Sequence, residues 1–277
     1  MGTAKSVLLA GAMTLLAYPA ANAADLPPIM PVKAPAVYDY SGWYLRGDIG
    51  MTNQRVGSLH VAQYDVVTSQ FDHRDNTFDS APLFGVGVGY QLNSWLRFDV
   101  TGEYRGKSSF RGGDTYTYAD GANTGSGFNN FTAEKSEWTV LANAYIDLGT
   151  WYGITPFIGA GVGASRNTIH NFKDVGYNND NLNGTNTSSA YGADASKWSL
   201  AWAAHAGLAY QVTPGLTMEL AYRYIDLGKA ETGDIIGFDG SNATYNPVEF
   251  RDITSHDVKF GLRWMLAPEY SPLMRKG

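Results

Sequence analysis

One short segment near the end of the chain, TSHDV, contains the three side chains of a hydrolytic triad. Ser255, His256 and Asp257 are consecutive, and a serine activated by a histidine must lie within hydrogen-bond reach of that base. The flanking residues alternate between apolar and polar types, which predicts a strand. In a strand, Ser255 and Asp257 share one face while His256 points to the other. We therefore interpret the segment as polar residues at the outer rim of a sheet and assign no catalytic residues.

Two glycine-rich segments and the histidines offer no stronger site. In GVGVG (85–89) and GAGVG (159–163), glycine recurs at every second position, whereas a phosphate-binding loop needs a turn that opens into a helix. These glycines are expected to face the inside of the structure and to leave room for arginine and tyrosine side chains. His205 is expected inside the fold and hydrogen-bonded. No metal or cofactor is predicted, because the histidines lack metal-ligand spacing: His60, His73, His170, His205 and His256.

The N-terminal 23 residues have the composition of a secretory signal peptide. Lys5 precedes an apolar run from Val7 to Tyr18, and cleavage is predicted after Ala23. The run is shorter than the roughly 20 residues that a transmembrane helix needs. Residues 24–41 contain four prolines and are predicted to be an extended periplasmic leader.

The composition excludes several classes of protein. The 277 residues include no cysteine, and the net charge is −6. A disulfide-stapled scaffold is therefore excluded, and the acidic charge disfavours nucleic acid as a partner. Beyond the signal peptide, no apolar run approaches the length of a membrane-spanning helix. The mature chain is thus expected either to be soluble or to enter a membrane as β-strands.

Eight segments show the period-two alternation of β-strands. The three connections at 93–94, 150–153 and 213–215 are short, whereas four polar connections are long, and they fall at 53–80, 107–135, 167–196 and 229–254. Short turns alternating with long loops are typical of outer-membrane barrels, in which the turns face the periplasm. We predict an all-β fold: an eight-stranded antiparallel transmembrane β-barrel over residues 42–266, with residues 267–277 as a flexible periplasmic tail. The strands are predicted at 42–52, 81–92, 95–106, 136–149, 154–166, 197–212, 216–228 and 255–266.

The two faces of these strands differ in charge. Large apolar residues line one face, expected to contact lipid, while the other carries six cations and six carboxylates. Eight strands leave an interior that side chains can fill, so these charges are predicted to form an ion-pair network that plugs the barrel. Its predicted members are Arg46, Asp48, Arg97, Asp99, Glu103, Arg105, Glu137, Asp147, Glu219, Arg223, Lys259 and Arg263. Tryptophans are predicted at the periplasmic rim (Trp43, Trp95, Trp151, Trp264) and the outer rim (Trp138, Trp198), with Trp202 inside the lipid band.

Several segments together resemble the small porin-family, OmpA-like outer-membrane proteins of alphaproteobacteria. They are SGWYLRGDIG (41–50), GVGVGYQLNSWLRFDVTGEYR (85–105), NAYIDLGTWYGITPFIGAGVGAS (143–165), GLTMELAYRYIDLG (215–228) and HDVKFGLRWML (256–266). The resemblance implies an eight-stranded barrel at the cell surface with a role in envelope integrity or surface interaction, and no shared catalytic residues. Lys259, Gly261, Trp264 and Leu266 match the signal that the outer-membrane assembly machinery reads in related barrels.

The resemblance leaves other functions open. Some relatives are described as haemin-binding or adhesive, which would place function on the external loops, and a narrow porin is a further alternative. A lipid A-modifying enzyme is less favoured, and the chain is expected not to be an enzyme. The expected partners are outer-membrane lipid or lipopolysaccharide, the assembly machinery and an unidentified host or surface ligand.

Overall fold

The computed structural model describes residues 39–61, 70–242, 245–266 and 269–271. The predicted signal peptide with its cleavage site at Ala23, residues 24–38 of the predicted leader and most of the predicted tail lie outside these residues. In the described part, no helix is long and apolar enough to cross a membrane. The strands are β1 (Asp39–Arg55), β2 (Ser58–Val61), β3 (Gln70–Phe78), β4 (Ala81–Gln91), β5 (Leu96–Asp120), β6 (Asn123–Asp147), β7 (Ile154–Asp180), β8 (Gly184–Gly192), β9 (Ala195–Thr213), β10 (Leu216–Glu231), β11 (Ile235–Gly237), β12 (Val248–Met265) and β13 (Glu269–Ser271).

Eight of these strands close into a ring. β1 pairs with β4, and the pairing continues antiparallel through β5, β6, β7, β9, β10 and β12. β12 then pairs with β1 from Tyr44↔Met265 to Arg55↔Thr254, so the ring has no open edge. Because the ring is closed, the backbone N–H and C=O groups at every strand edge have hydrogen-bond partners, as they must where no water reaches the backbone. The predicted eight-stranded antiparallel barrel is confirmed, and each predicted strand corresponds to one member of the ring.

The paired residues also give the stagger of the ring. Starting from Leu45 in β1, successive cross-strand partners return to β1 at Arg55, ten residues along the same strand (55 − 45). The partners on the way are Val88, Val100, Ala142, Val162, Trp202, Asp226 and Thr254. Such a stagger accompanies strands tilted by about 35–45° to the barrel axis. The tilt brings residues that are far apart in sequence to the same height inside the barrel.

The long connections differ from the polar loops expected from the sequence. β5 and β6 remain paired to a two-residue tip at 121–122, so residues 107–135 form a hairpin and not a loop. β7 likewise continues to Asp180 and pairs with β8, while β2 and β3 extend the sheet on β12 and β5. The apolar alternation ends where these strands leave the lipid, because water can solvate either face there. Hydropathy therefore no longer marks the strands, although their backbone ladders continue.

Strand residues also occur within the predicted leader and within the predicted tail. β1 begins at Asp39, three residues before the predicted start at 42, and residues 39–41 pair with Glu269–Ser271 of β13. Three residues of the predicted tail thus pair with the start of the first strand, and the flexibility of the tail as a whole stays a prediction.

The burial pattern of the ring is the reverse of that in a water-soluble barrel. Arg97 and Arg105 are fully buried, whereas Val86 and Leu200 are 70% and 72% exposed. The predicted rim tryptophans all point outward, and Trp138 pairs with Arg166, which pairs with Trp198 in a single row. Exposed apolar side chains of this kind are stable only against lipid.

Glycines in β4 and β7 provide room for two interior tyrosines, as predicted from their spacing. A methyl group at Gly89 would overlap the Tyr44 ring, and one at Gly159 would overlap the Tyr145 ring. The Tyr44 hydroxyl donates to Asp99 at 3.1 Å, and Arg46 donates to the Tyr145 hydroxyl at 3.2 Å. The glycines therefore determine where the interior charges can find partners.

Replacing Gly159 with alanine is expected to destabilise the folded barrel by about 1–3 kcal/mol, the usual cost of overpacking. The added methyl group displaces the Tyr145 ring and with it a partner of Arg46. Gly102→Ala is the matched control, because a side chain there would meet no atom within 4 Å. Urea titration of both variants, refolded in detergent micelles, measures the difference, and equal midpoints would contradict the role assigned to Gly159.

Candidate functional site

The barrel interior contains a continuous series of side chains that alternate in charge, here called the charged chain. Each member lies within ion-pair distance of the next. The order is Asp147, Arg97, Glu219, Arg46, Asp48, Lys259, Glu103, Arg223, Asp257, Arg105, Glu137 and Lys135. Asp99 joins at Arg46 (2.8 Å) and Arg263 joins at Glu219 (3.4 Å). The structure thus brings all twelve residues of the predicted network together in the interior.

Two members of this chain were not predicted. The sequence predicts Asp257 as a rim residue, but it is fully buried and its carboxylate lies 2.7 Å from Arg105 and 2.8 Å from Arg223. Lys135, placed by the sequence in a loop, is fully buried and pairs with Glu137. Each lies two residues from a predicted member on the same face of its strand: Asp257 from Lys259, and Lys135 from Glu137. The period-two alternation could therefore have identified both. Adding one cation and one carboxylate leaves seven of each sign.

The TSHDV segment divides between the two faces, as its alternation predicted. Ser255 donates to Asp257 at 2.6 Å in the interior, whereas His256 lies outside against the Tyr222 hydroxyl at 2.5 Å. The three residues therefore form no triad, although Ser255 and Asp257 are interior and not at the rim as expected. His205 is inside the barrel as expected, but its buried Nε2 has no hydrogen-bond partner among the described residues.

An apolar cluster lies beyond the charged chain on the external side. Phe250 packs on Phe110 with ring centroids 4.9 Å apart and on Phe78 at 6.2 Å. Leu59 and Val61 of β2 are buried in the same cluster. Lys135 Nζ lies 5.7 Å from the Phe78 ring centroid, where the charged chain meets the apolar cluster. The external end of the barrel is therefore filled by apolar side chains. The sequence analysis, which predicts polar loops there, does not predict this cluster.

The external hairpins form a sheet whose outward face carries a cleft. Asp72, Thr115, Phe128 and Tyr177 pair in one row across four strands. The Phe128 and Tyr177 rings stack with centroids 5.3 Å apart and 16° between their planes. The cleft has a volume of about 470 Å³ and is also lined by hydroxyl side chains, Thr117 and Ser126 among them. Its size lies within the range of about 300–1,000 Å³ typical of small-ligand sites.

Three residues of the predicted assembly signal lie in the closing strand, β12, and the fourth, Leu266, follows its last residue. Lys259 points into the charged chain, and Trp264 and Leu266 are exposed on the outer face. A side chain at Gly261 would lie 2.5 Å from the Asp48 carboxylate and would displace it from its ion pairs. In the described residues, no group of three or more histidine or acidic side chains is arranged to hold a metal ion.

Asp174 in the external part of β7 should make the stability of the hairpins depend on pH. Burial, reinforced by the charge of Asp114, raises the pKa of Asp174 to about 7. An unfolded aspartate has a pKa of about 3.9, so the folded state binds the proton more tightly. The resulting stabilisation is complete below about pH 4 and is lost as the pH rises to about 7.

We therefore expect Asp174→Asn to stabilise the protein at pH 8 and to reduce the difference in unfolding midpoint between pH 5 and pH 8. Urea titrations at the two pH values measure this effect, with Asp72→Asn, an exposed acid in the same sheet, as the control. An NMR titration of Asp174 that gave a pKa of about 4 would show that the carboxyl is not perturbed.

A closed antiparallel ring with apolar side chains outside and paired charges inside is the architecture of a membrane-spanning β-barrel. The chain belongs to the outer membrane protein β-barrel domain family, whose model matches residues 9–265. It is accordingly a protein of the bacterial outer membrane with surface-exposed external hairpins.

The relatives of the chain include uncharacterised proteins and proteins named as putative adhesins. An uncharacterised protein of Brucella suis is 30% identical over 294 residues, covering 95% of this chain and 98% of the relative. A putative adhesin of Rickettsia prowazekii is 24% identical over 226 residues, covering 80% and 86%. The crystal structure of Neisserial surface protein A is similar at 16% identity with a TM-score of 0.43, covering 82% of this chain and 99% of that structure.

Proposed function

We propose that the protein is a sealed structural barrel that contributes to envelope integrity and presents an external sheet for surface interaction. The observation that carries this proposal is the filled interior. A continuous chain of paired charges occupies the membrane-spanning part, and the apolar cluster around Phe250 occupies the external end. A solute would have to break buried ion pairs and displace packed phenylalanines to pass, which disfavours the narrow porin.

Planar-bilayer recording of the refolded barrel tests the seal. We expect no stable channel openings, because removal of one member of a buried ion pair, or its separation by water, is energetically costly. Liposome-swelling assays with small sugars are expected to show no uptake above that of protein-free liposomes. A stable, large conductance would contradict the proposal and would favour the porin.

The external cleft supports the surface-interaction part of the proposal. Its stacked aromatic rings and hydroxyl groups supply both apolar contact area and hydrogen bonds, the combination typical of ligand sites. In contrast, His170 gives the haemin alternative little support, since both of its ring nitrogens already have partners in Ser136 and Asp194. The relative named a putative adhesin is in keeping with a surface role.

Adhesion of cells that display the protein tests this part. We expect the Phe128→Ala/Tyr177→Ala double variant to reduce binding to host-cell monolayers, while Phe238→Ala, which removes a 79% exposed ring elsewhere on the external side, leaves it unchanged. Equal binding of both variants to the host-cell monolayers would contradict the role assigned to the cleft. Lipopolysaccharide and the assembly machinery, through Lys259, Gly261, Trp264 and Leu266, remain the other partners we propose.

A further inference from the structure

Three residues from distant positions form a hydrogen-bonded triad on the outward face of the barrel. Ser136 Oγ lies 3.1 Å from His170 Nε2, and His170 Nδ1 lies 2.7 Å from Asp194 Oδ2. These are the atoms and distances by which a carboxylate orients a histidine and the histidine activates a serine. The sequence offered no sign of this arrangement, because the three residues are separated by 34 and 24 positions.

Irregular backbone positions the histidine and the serine. Between β6 and β7 the register shifts after Thr132, so that two residues of β7 oppose one of β6 beside His170. Asn171 has a φ of 52°, which is uncommon for a residue other than glycine. On the other side of β6, the register shifts between Arg105 and Ser108, so that two residues oppose Ser136. Bulges re-aim side chains and occur preferentially at barrel rims and beside active sites.

Hydrogen bonds keep the carboxyl group of Asp194 ionised, which is the form that a catalytic triad needs. Asp194 Oδ1 accepts the Asn171 backbone N–H at 3.0 Å, while Oδ2 faces His170. The hydrogen bond with His170, assisted by the one from Asn171, lowers the pKa of Asp194 below its usual range. Asp194 is therefore ionised at neutral pH and can stabilise a protonated imidazole.

The triad lies at the outer boundary of the lipid-facing band. Ser136 lies two residues beyond Trp138 of the outer rim on the same face of β6, which is about 5 Å further from the lipid core. Ester bonds of membrane lipids lie at this boundary between acyl chains and polar groups. Lys107, paired with Glu134 at 2.8 Å, places a cation on the same side of the barrel.

We propose that Ser136, His170 and Asp194 form a catalytic site that hydrolyses carboxylic esters of lipids at the outer surface of the membrane. Ser136 Oγ bonds to the ester carbonyl carbon as its proton passes to His170 Nε2. The carbon–oxygen bond of the ester then breaks, and the leaving alkoxide takes that proton, which leaves an acyl-serine. Water attacks the acyl group and gives a proton through His170 back to Ser136, so that the carboxylic acid is released and the serine is restored. This activity goes beyond the structural role and departs from the expectation that the chain is not an enzyme.

The full-length barrel, refolded in detergent micelles, allows a direct test. With p-nitrophenyl palmitate as the probe, we expect ester hydrolysis that falls by at least about 100-fold in Ser136→Ala and in Asp194→Asn. Ser196→Ala is the matched control, since this exposed hydroxyl contacts Thr168 and not His170. Equal hydrolysis by the wild type, Ser136→Ala and Ser196→Ala would overturn the proposal.

A covalent probe gives a second readout that needs no variant. An alkyl fluorophosphonate is expected to add one adduct to the wild-type chain, located at Ser136 by peptide mass spectrometry, because only an activated serine reacts readily. Absence of the adduct from the folded wild type would show that the triad is structural only. Should Ser136→Ala fail to show the heat-modifiable folded band, this labelling alone decides the question.

Discussion

Replacing Arg223 with methionine is expected to lower the free energy of unfolding by about 3–5 kcal/mol, the cost of leaving a buried charge without its partner. Arg223 is 1% exposed and donates to both carboxylate oxygens of Glu103, at 2.9 and 2.6 Å. It also donates to Asp257 at 2.9 Å. Its removal therefore leaves two carboxylates with fewer partners in an interior that has no bulk water to solvate them.

Two comparison variants separate this effect from the loss of a large side chain. Arg251→Met removes a partly exposed ion pair with Glu249 and is expected to cost less than about 1 kcal/mol. Arg223→Met combined with Glu103→Gln should recover part of the loss, because one of the two carboxylates that lost a partner, and that keeps Lys259, becomes neutral. Urea titration of the refolded barrel measures all three, and equal losses for Arg223→Met and Arg251→Met would contradict the buried-network interpretation.

Replacing Phe250 with alanine is expected to destabilise the external hairpins by about 3–5 kcal/mol, as measured for buried phenylalanines elsewhere. The side chain is fully buried and contacts both Phe110 and Phe78, which come from different strands. The change leaves a cavity where β3, β5 and β12 meet. Phe250 belongs to the apolar cluster and its loss removes no ion pair of the interior, so the membrane-spanning ring is expected to remain closed.

Limited proteolysis together with the heat-modifiable folded band distinguishes these two regions. We expect Phe250→Ala to be cut in the external hairpins while the ring still migrates as a folded barrel. Phe238→Ala is the control, since its ring is 79% exposed. Uncut hairpins in Phe250→Ala would show that the apolar cluster is not what holds them together.

The interior and exterior faces of the barrel were predictable because the side chains of a strand alternate with a period of two. Once Lys259 and Arg263 of the last strand were placed inside, the face of every residue in that strand followed. The glycines of 85–89 and 159–163 were recognised as interior for the same reason. The external hairpins were not predictable in this way because polar and small residues occupy both of their faces. Their strands therefore show no alternation in hydropathy.

The amino-acid sequence by itself determined the class of fold, the number of strands in the ring and the two sets of charges that line it. Only the tertiary structure decided which charges meet, for example that Glu103 binds Arg223 and Lys259. That choice depends on the register of all eight pairs and on a ten-residue stagger (55 − 45) that accumulates around the ring. The same holds for Ser136, His170 and Asp194, because bulges in two ladders bring them together and local alternation contains no information about bulges.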